Sequence, residues 1–203
     1  MQEPEKANLP TRRTPSVLAV IAGPVRPIDI DYEACDIHWD TQNRENVSGY
    51  FNEATKDVNL KYDYVLFIGA KNDLRNKKVV GLLVDYLESD NRKDYVGVYT
   101  DLYIVDGHVN FEIFNQSFNH ETFGKKTVLN FPFMVRSRVC PLFTDGLKYL
   151  YLYDGILTLS QKYLLAHIPS ALFVLQDAFH KSKLSEDMKL INESRNKNNS
   201  SAN

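Results

Sequence analysis

Two short apolar runs bracket one amphipathic stretch near the middle of the chain. The runs, residues 64–69 and 95–101, are rich in β-branched and aromatic residues and have the length of buried strands. Between them, residues 76–90 carry apolar side chains at helical spacing, with lysines and acids on the other side. The pattern predicts a strand, helix and strand unit of a parallel or mixed sheet. Such sheets bind ligands beyond the carboxyl ends of their strands, so residues 69–73 are the first candidate for chemistry.

The chain before this unit predicts two strands and a short helix. Residues 16–23 are continuously apolar until Gly23 and Pro24, which indicates a central strand. Residues 34–40 alternate apolar and polar positions and predict a weaker strand that ends at Asp40. Asn46 has the side chain of an N-cap, and the apolar positions that follow it predict a helix through Ala54.

The chain after residue 101 predicts a hairpin, a strand, a helix and a final strand. Alternating runs flank Asp106 and Gly107, a pair typical of a type I′ turn. The prediction continues with a polar loop over residues 115–127, a strand over 128–135 and a helix over 150–165 that Pro169 ends. A short strand over 171–175 follows, and from residue 182 a solvated helix frays into a disordered tail.

Composition and charge indicate one soluble α/β domain. The chain has 203 residues, of which 43% are hydrophobic and 25% charged, enough for one well-buried core. We expect a polar, disordered leader over residues 1–14, the domain over 15–183 and a polar tail over 184–203. A net charge of -2 gives no electrostatic footprint for nucleic acid or an anionic membrane. No apolar run reaches the roughly 18 residues of a membrane span, and the two isolated cysteines predict a reduced, cytoplasmic setting without disulfide or zinc.

Four places in the chain, in this order, match the motifs of a known family. Residues 47–54 look like a helix that usually contains Arg-Asn, and residues 64–73 like a strand that runs into a DxD motif. Residues 99–101 with the hairpin look like the next strand. Residues 153–182 look like a catalytic Glu-Asp segment, a helix, a strand and a closing histidine. Over about residues 15–183 the chain thus resembles the family 2 glycosyltransferases. That resemblance implies a GT-A-type fold: a Rossmann-like mixed, mostly parallel central sheet flanked by helices.

The resemblance also implies roles for particular residues. Asp154 would be the general base that takes a proton from an acceptor hydroxyl, and the structural alternative for it is a helix N-cap. Asp40 would bind the nucleotide base, with Trp39 or Tyr32 stacking on it, or else be a turn residue. The full set of residues expected to bind the nucleotide or the sugar donor is Asp40, Asn52, Gly69, Lys71, Asp73, Asp101, Arg136 and His180. For Asp101 and Arg136 the alternatives are a turn start and, together with Arg138, a solvated basic face.

The chain departs from the family pattern where the metal would bind. Gly69, Ala70 and Lys71 stand in place of the DxD carboxylates, Phe51 in place of the arginine before Asn52, and Tyr153 in place of the glutamate. No metal ligands are therefore predicted, and Mn²⁺ or Mg²⁺ is not expected. Lys71 would instead supply the positive charge that a departing nucleoside diphosphate needs.

Three functions follow from these observations. The leading hypothesis is a glycosyltransferase that moves a sugar, with inversion, from a nucleotide-diphosphate donor to an acceptor hydroxyl; polysaccharide, protein and modified nucleic acid base all stay open as acceptors, as does the oligomeric state. The second is an inactive relative that serves as a binding or assembly module, because the DxD motif and the first helix after the first strand are lost. A small phosphotransferase is disfavoured, because no glycine-rich phosphate loop follows Gly23.

Overall fold

The described residues of the computed structural model are 13–23, 29–40, 46–106, 109–113, 131–176 and 181–200. Their strands are β1 Val17–Ala22, β2 Cys35–Asp40, β3 Tyr64–Ile68, β4 Asn72–Leu74, β5 Tyr95–Asp106, β6 Val109–Ile113, β7 Phe133–Arg136 and β8 Leu164–Gln176. Their helices are α1 Val47–Ala54, α2 Val79–Glu88, α3 Tyr151–Ser160 and α4 Lys181–Ser200. Short 3₁₀ turns occupy Val58–Leu60, Asp90–Arg92 and Ser137–Val139.

The described strands form one mixed sheet in the order β2-β1-β3-β7-β5-β8-β4, with β6 paired to β5. Strand β1 pairs in parallel with β2 and β3, and β5 pairs in parallel with β8. The remaining pairs among the described strands, β3 with β7, β5 with β7, β4 with β8 and β5 with β6, are antiparallel. The predicted mixed α/β sheet is confirmed. Its parallel pairs among the described strands are β1 with β2, β1 with β3, and β5 with β8.

Helices cover both faces of the sheet. Tyr64 and Phe67 lie three positions apart on β3, so their side chains point to opposite faces. The ring of Phe51 in α1 packs on Phe67 with centroids 5.4 Å apart, whereas Glu88 at the end of α2 bonds the Tyr64 hydroxyl. Helices α1 and α2 therefore lie on opposite faces, as the sequence predicted.

An aromatic layer joins α1 and α3 to the sheet. The rings of Phe51, Phe67, Phe133, Phe143 and Tyr151 contact one another with centroids 5.0 to 5.4 Å apart. Each such pair contributes about 0.5–1.5 kcal/mol beyond its burial. Strands β1 and β3 beneath the layer are buried along their whole length. This packing fixes the start of α3 beside the carboxyl end of β3.

Two strands that the sequence placed side by side are separated in the sheet. Strand β7 lies between β3 and β5 and is antiparallel to both. The central unit is therefore β3, α2 and β5 with a third strand inserted, and α2 is the crossover. Short strand β4, which the sequence did not predict, leads from the end of β3 to the far side of β8.

Proline 169 does not end a helix. Helix α3 stops at Ser160, and from Leu164 the chain continues as β8, which includes the predicted last strand 171–175. Thr100 pairs with Ile168 but Asp101 pairs with Ala171, so Pro169 and the next residue form a bulge. Proline lacks a backbone N–H and is tolerated in strands at such bulges. The prediction of a helix over 150–165 is wrong beyond residue 160.

Several local predictions are confirmed. The Asn46 side chain accepts a hydrogen bond from Gly49 N at 2.8 Å and so caps α1. Strands β5 and β6 form the predicted hairpin, with Asp106 opposite Val109, while Gly107 and the predicted loop over 115–127 lie outside the described residues. A helix does begin near residue 182, but α4 is docked, since Asp187 and Ile191 are 2% and 1% exposed. No helix of the described residues is long and apolar enough to cross a membrane.

Candidate functional site

Sheet register brings the carboxyl ends of β1, β2 and β3 to one row with the middle of β5. Ala22 pairs with Asp40, and Ile21 pairs with Ile68, so Gly69 lies beside Ala22. Across β7, Phe67 and Tyr99 share the partner Phe133, which puts Gly69 and Asp101 at the same height. Asp40 and Gly69 are two strands apart, about 10 Å, and so are Gly69 and Asp101, which puts Asp40 and Asp101 four strands apart. We call this row, Asp40, Gly69 and Asp101, the upper edge.

Gly23 follows β1 and lies at the part of the upper edge that contains Asp40. Gly23 has a φ of +122°, and a Cβ added to it would lie 2.5 Å from the Cβ of Ala70. Any residue with a side chain would therefore be strained at this position. Gly23 N donates to Asp40 O at 3.0 Å, and the Trp39 indole N–H donates to Gly23 O at 2.8 Å. The ends of β1, β2 and β3 are thereby held in close backbone contact.

A tight turn follows β3 at the centre of the upper edge. Asn72 N donates to Gly69 O at 3.0 Å, and Gly69 N donates to the Asn72 Oδ1 at 3.2 Å. Ala70 N donates to the hydroxyl of Tyr151, the first residue of α3, at 3.0 Å. Asn72 is 3% exposed, and its Nδ2 has no hydrogen-bond partner among the described residues. A buried amide donor without a partner is uncommon, and sequence reasoning passed over Asn72.

Two other predicted donor-binding residues belong to the same turn. Lys71 is half-buried, and its carbonyl accepts a hydrogen bond from Gln176 N at 2.8 Å, which ties the turn to the end of β8. Asp73 is half-buried on β4, and its Oδ1 accepts from Leu74 N at 2.8 Å. The structure therefore brings Gly69, Lys71 and Asp73 together.

Asp154 is buried inside α3 rather than at its start. Leu150 is the N-cap, so the N-cap alternative for Asp154 is wrong. Asp154 is 1% exposed, and its Oδ2 accepts a hydrogen bond from Thr144 N at 2.7 Å. Burial raises the pKa of Asp154, and the bonds from Thr144 and the charge of Arg195 on α4 offset this only in part. A carboxyl with a raised pKa is a better proton acceptor than a solvated one.

Asn52, Arg136 and Tyr32 do not join the upper edge. Both amide atoms of Asn52 bond the backbone of Phe143, at 3.0 and 2.9 Å, so this side chain fastens a loop to α1. Arg136 pairs in register with Tyr64 at the amino end of β3, the opposite edge of the sheet. The Tyr32 hydroxyl donates to Pro15 O at 2.8 Å at that same edge, so of the two aromatic residues proposed to stack on a base only Trp39 lies near Asp40.

Arg136 has a structural partner set. Its guanidinium donates to Leu87 O at 2.8 Å, to Tyr95 O at 3.2 Å and to the Tyr64 hydroxyl at 2.8 Å, and it pairs with Glu88 at 3.5 Å. The group thus satisfies the carboxyl end of α2, as cations do at helix ends. The nearby cavity of about 360 Å³, whose lining includes Arg138, lies at the amino edge of β3, away from Gly69.

Asp101 is paired with a histidine that the sequence did not single out. Strand β5 continues to Asp106, so Asp101 is inside the strand and not at its end as predicted. Its Oδ1 lies 2.8 Å from the Nε2 of His167, whose ring stacks on Tyr99 with centroids 5.1 Å apart. His167 was missed because it falls between the predicted helix over 150–165 and Pro169, in a segment for which no strand was predicted. His180 lies outside the described residues.

The residues at the upper edge do not fit a metal ion. Gly69 and Lys71 stand where the resemblance to the glycosyltransferases would place carboxylates, and an ammonium group repels a cation. Within the described ranges, no three His, Cys, Asp or Glu side chains are grouped to hold a metal.

Comparison with known proteins shows a likeness in structure. No protein-family model matches the chain, and no curated protein matches it in sequence. The chain is similar to the crystal structure of S. aureus TarS 1-349 in complex with UDP-GlcNAc, with a TM-score of 0.54 and 12% identity. The match covers 83% of this chain and 60% of that chain, so this chain spans well under two thirds of its neighbour. At this identity the likeness shows the fold alone, and it supports the nucleotide-sugar transferase fold that the sequence resemblance implied.

Proposed function

We propose that the chain binds a nucleotide-diphosphate sugar along the upper edge and transfers the sugar, with inversion, to an acceptor hydroxyl. The observation that carries the proposal is the convergence of Asp40, Gly69, Lys71 and Asp101 at one edge of a sheet whose structural neighbour is a complex with UDP-GlcNAc. Ligands of such α/β sheets bind at the carboxyl ends of the strands.

The central turn supplies groups suited to a diphosphate. Gly23 and Gly69 allow the ends of β1 and β3 to pack closely on Ala70 and Asn72, which fixes the shape of the turn. The Asn72 Nδ2 is a buried donor whose unmet hydrogen bond costs about 1–3 kcal/mol until a partner arrives. Lys71 on this turn adds the positive charge that stabilises the departing nucleoside diphosphate. Asp40, with Trp39 beside it, contacts the nucleotide base.

The transfer step uses Asp154 as the proton acceptor. The acceptor hydroxyl gives its proton to the Asp154 carboxylate while its oxygen attacks the anomeric carbon. The bond from that carbon to the diphosphate oxygen breaks, and the nucleoside diphosphate leaves with the electron pair. The raised pKa of Asp154, caused chiefly by burial, favours this proton transfer.

Isothermal titration with UDP-GlcNAc, UDP and other nucleoside diphosphates in EDTA tests the proposal. We expect binding without added metal, and we expect Lys71→Ala to weaken it by about 1.5–3 kcal/mol, the size of a charge-assisted contact. Lys56→Ala, an exposed lysine just after α1, is the matched control and should leave affinity unchanged. Binding that requires Mn²⁺ or Mg²⁺, or that Lys71→Ala does not alter, would contradict the role of Lys71.

One observation favours the second function, an inactive binding module. Asp154 is 1% exposed, and its carboxylate already accepts a hydrogen bond from Thr144. A chain that has become a binding module would keep nucleotide affinity but release no nucleoside diphosphate from any donor. Turnover of a nucleotide-sugar panel, measured as nucleoside diphosphate release, therefore separates the two functions.

A further inference from the structure

We infer that Asp101 and His167 form a sugar-binding pair, in which the Nδ1 of His167 accepts a hydrogen bond from a hydroxyl of the donor sugar. This inference rests on the proposed function and identifies the group that would read the sugar. The resemblance to a family drew attention to Asp101 alone, whereas the structure adds the imidazole.

The first argument is the chemistry of the pair. The Asp101 carboxylate, 1% exposed, lies 2.8 Å from Nε2 of His167. A carboxylate can only accept a hydrogen bond, so the imidazole in its neutral form would carry its proton on Nε2 and keep its lone pair on Nδ1. The ring is fixed in addition by its stacking on Tyr99. The pair thus presents one acceptor atom in a set orientation.

The second argument is that this acceptor is still available. The His167 side chain is 10% exposed, and among the described residues its only side-chain hydrogen bond is the one to Asp101. The His167 side chain is nine-tenths buried and its Nδ1 has no bond in the described part of the chain, so a ligand hydroxyl that reaches this atom gains a contact at little desolvation cost. A sugar hydroxyl is a suitable donor for it.

The third argument is position. Asp101 lies at the height of Gly69 and about 10 Å from it across β7. Asp40 lies about 10 Å from Gly69 in the opposite direction, across β1. A base at Asp40 and a diphosphate at Gly69 would direct the sugar toward Asp101. The ladder between β5 and β8 is irregular on both sides of Asp101, and such bulges commonly re-aim side chains beside binding sites.

The test compares UDP with UDP-sugars, because only the sugar should sense the pair. Isothermal titration of UDP, UDP-GlcNAc, UDP-glucose and UDP-galactose is carried out with the wild type and His167→Gln. We expect His167→Gln to weaken the tightest UDP-sugar about tenfold, the value of one hydrogen bond, and to change UDP affinity less than twofold. His38→Gln, an exposed histidine on β2, is the matched control and should change neither.

Asp101→Asn separates positioning from folding. The asparagine keeps the shape of the carboxylate but no longer fixes the proton on Nε2, so ¹⁵N NMR of His167 should show the Nε2–H form in the wild type and a mixture in the variant. We expect the UDP-sugar affinity to fall in parallel, with the melting temperature recorded to verify folding.

Each result decides the inference. Equal losses for UDP and UDP-sugar in His167→Gln, or a wild type that binds UDP-sugars no more tightly than UDP, would overturn the sugar contact while leaving nucleotide binding intact. A wild type that binds no nucleotide at all would overturn the proposed function and this inference with it.

Discussion

Replacing Asp187 on α4 should destabilise the chain. The Asp187 carboxylate is 2% exposed and accepts hydrogen bonds from the backbone N–H groups of Lys148, Tyr149 and Leu150, at 3.1, 2.6 and 2.8 Å. Leu150, the N-cap of α3, has no side-chain capping bond of its own. A carboxylate from a distant helix therefore binds the N–H of the N-cap residue and of the two residues before it, with favourable charge at the helix amino end.

The magnitude follows from the number of donors left without an acceptor. In Asp187→Ala three N–H groups lose their partner, that of Leu150 buried and the other two part-buried. Each buried group costs about 1–3 kcal/mol and water recovers part of the rest, so we expect a loss of about 3–5 kcal/mol. For a chain of 203 residues this lowers the melting temperature by roughly 6–20 °C. Asp187→Asn keeps one carbonyl acceptor and loses the charge, so it should cost about half as much.

Thermal unfolding followed by circular dichroism measures the loss. Glu186→Ala is the control, since Glu186 is the exposed neighbour on the same helix. Binding of UDP at low temperature gives a second measurement, because the capped start of α3 includes Tyr151, whose hydroxyl accepts the hydrogen bond from Ala70 N. If Asp187→Ala and Glu186→Ala melted within 2 °C of each other, roughly the effect of 1 kcal/mol or less, the capping argument would be refuted.

Three further substitutions test other parts of the structure. Asp154→Asn should abolish transfer and leave UDP affinity unchanged. Because burial raises the pKa of Asp154 in the folded state, folding disfavours its ionised form, so the variant should also melt at a higher temperature at pH 7, and this difference should vanish below about pH 3.9. A lower melting temperature of the variant at pH 7 would contradict this. Arg136→Ala should lower the free energy of unfolding, measured in urea, by about 2–4 kcal/mol without changing UDP affinity. A loss of UDP affinity would indicate that Arg136 takes part in nucleotide binding. Gly23→Ala should cost about 2–4 kcal/mol through its positive φ and the contact with Ala70, whereas Gly81→Ala, with ordinary space at its Cβ, should not destabilise α2 in the same denaturant assay.

Local patterns were enough to predict most elements on the amino-terminal side. Strands β1 and β3 are continuous apolar runs, α2 has one apolar face, and Asn46 has a side chain that is favoured at a helix start. These properties depend on neighbours a few residues apart, which the sequence displays directly. The order of such elements also carried the resemblance to a nucleotide-sugar transferase fold.

Placement of the polar residues was predicted only in part. Asp40, Gly69 and Lys71 follow strands whose ends the sequence marks, and the strand-end rule put them at one edge. Arg136 looked equivalent to them, but β7 runs antiparallel to β3, which carries Arg136 to the opposite edge. Direction within a sheet depends on pairing between segments about 70 residues apart, and no local pattern encodes it.

The sequence by itself determined most of the strands and helices in the first half of the chain, and that residues 69–71 contain no carboxylate. Only the tertiary structure decided that β8 passes Pro169 through a bulge and that His167 faces Asp101. The physical reason is that a proline ends a helix by its local geometry, whatever the rest of the chain does. In a strand, proline is accepted where no neighbouring strand needs a hydrogen bond from its position. Such a neighbour is chosen by register across the sheet, which exists only once the chain has folded.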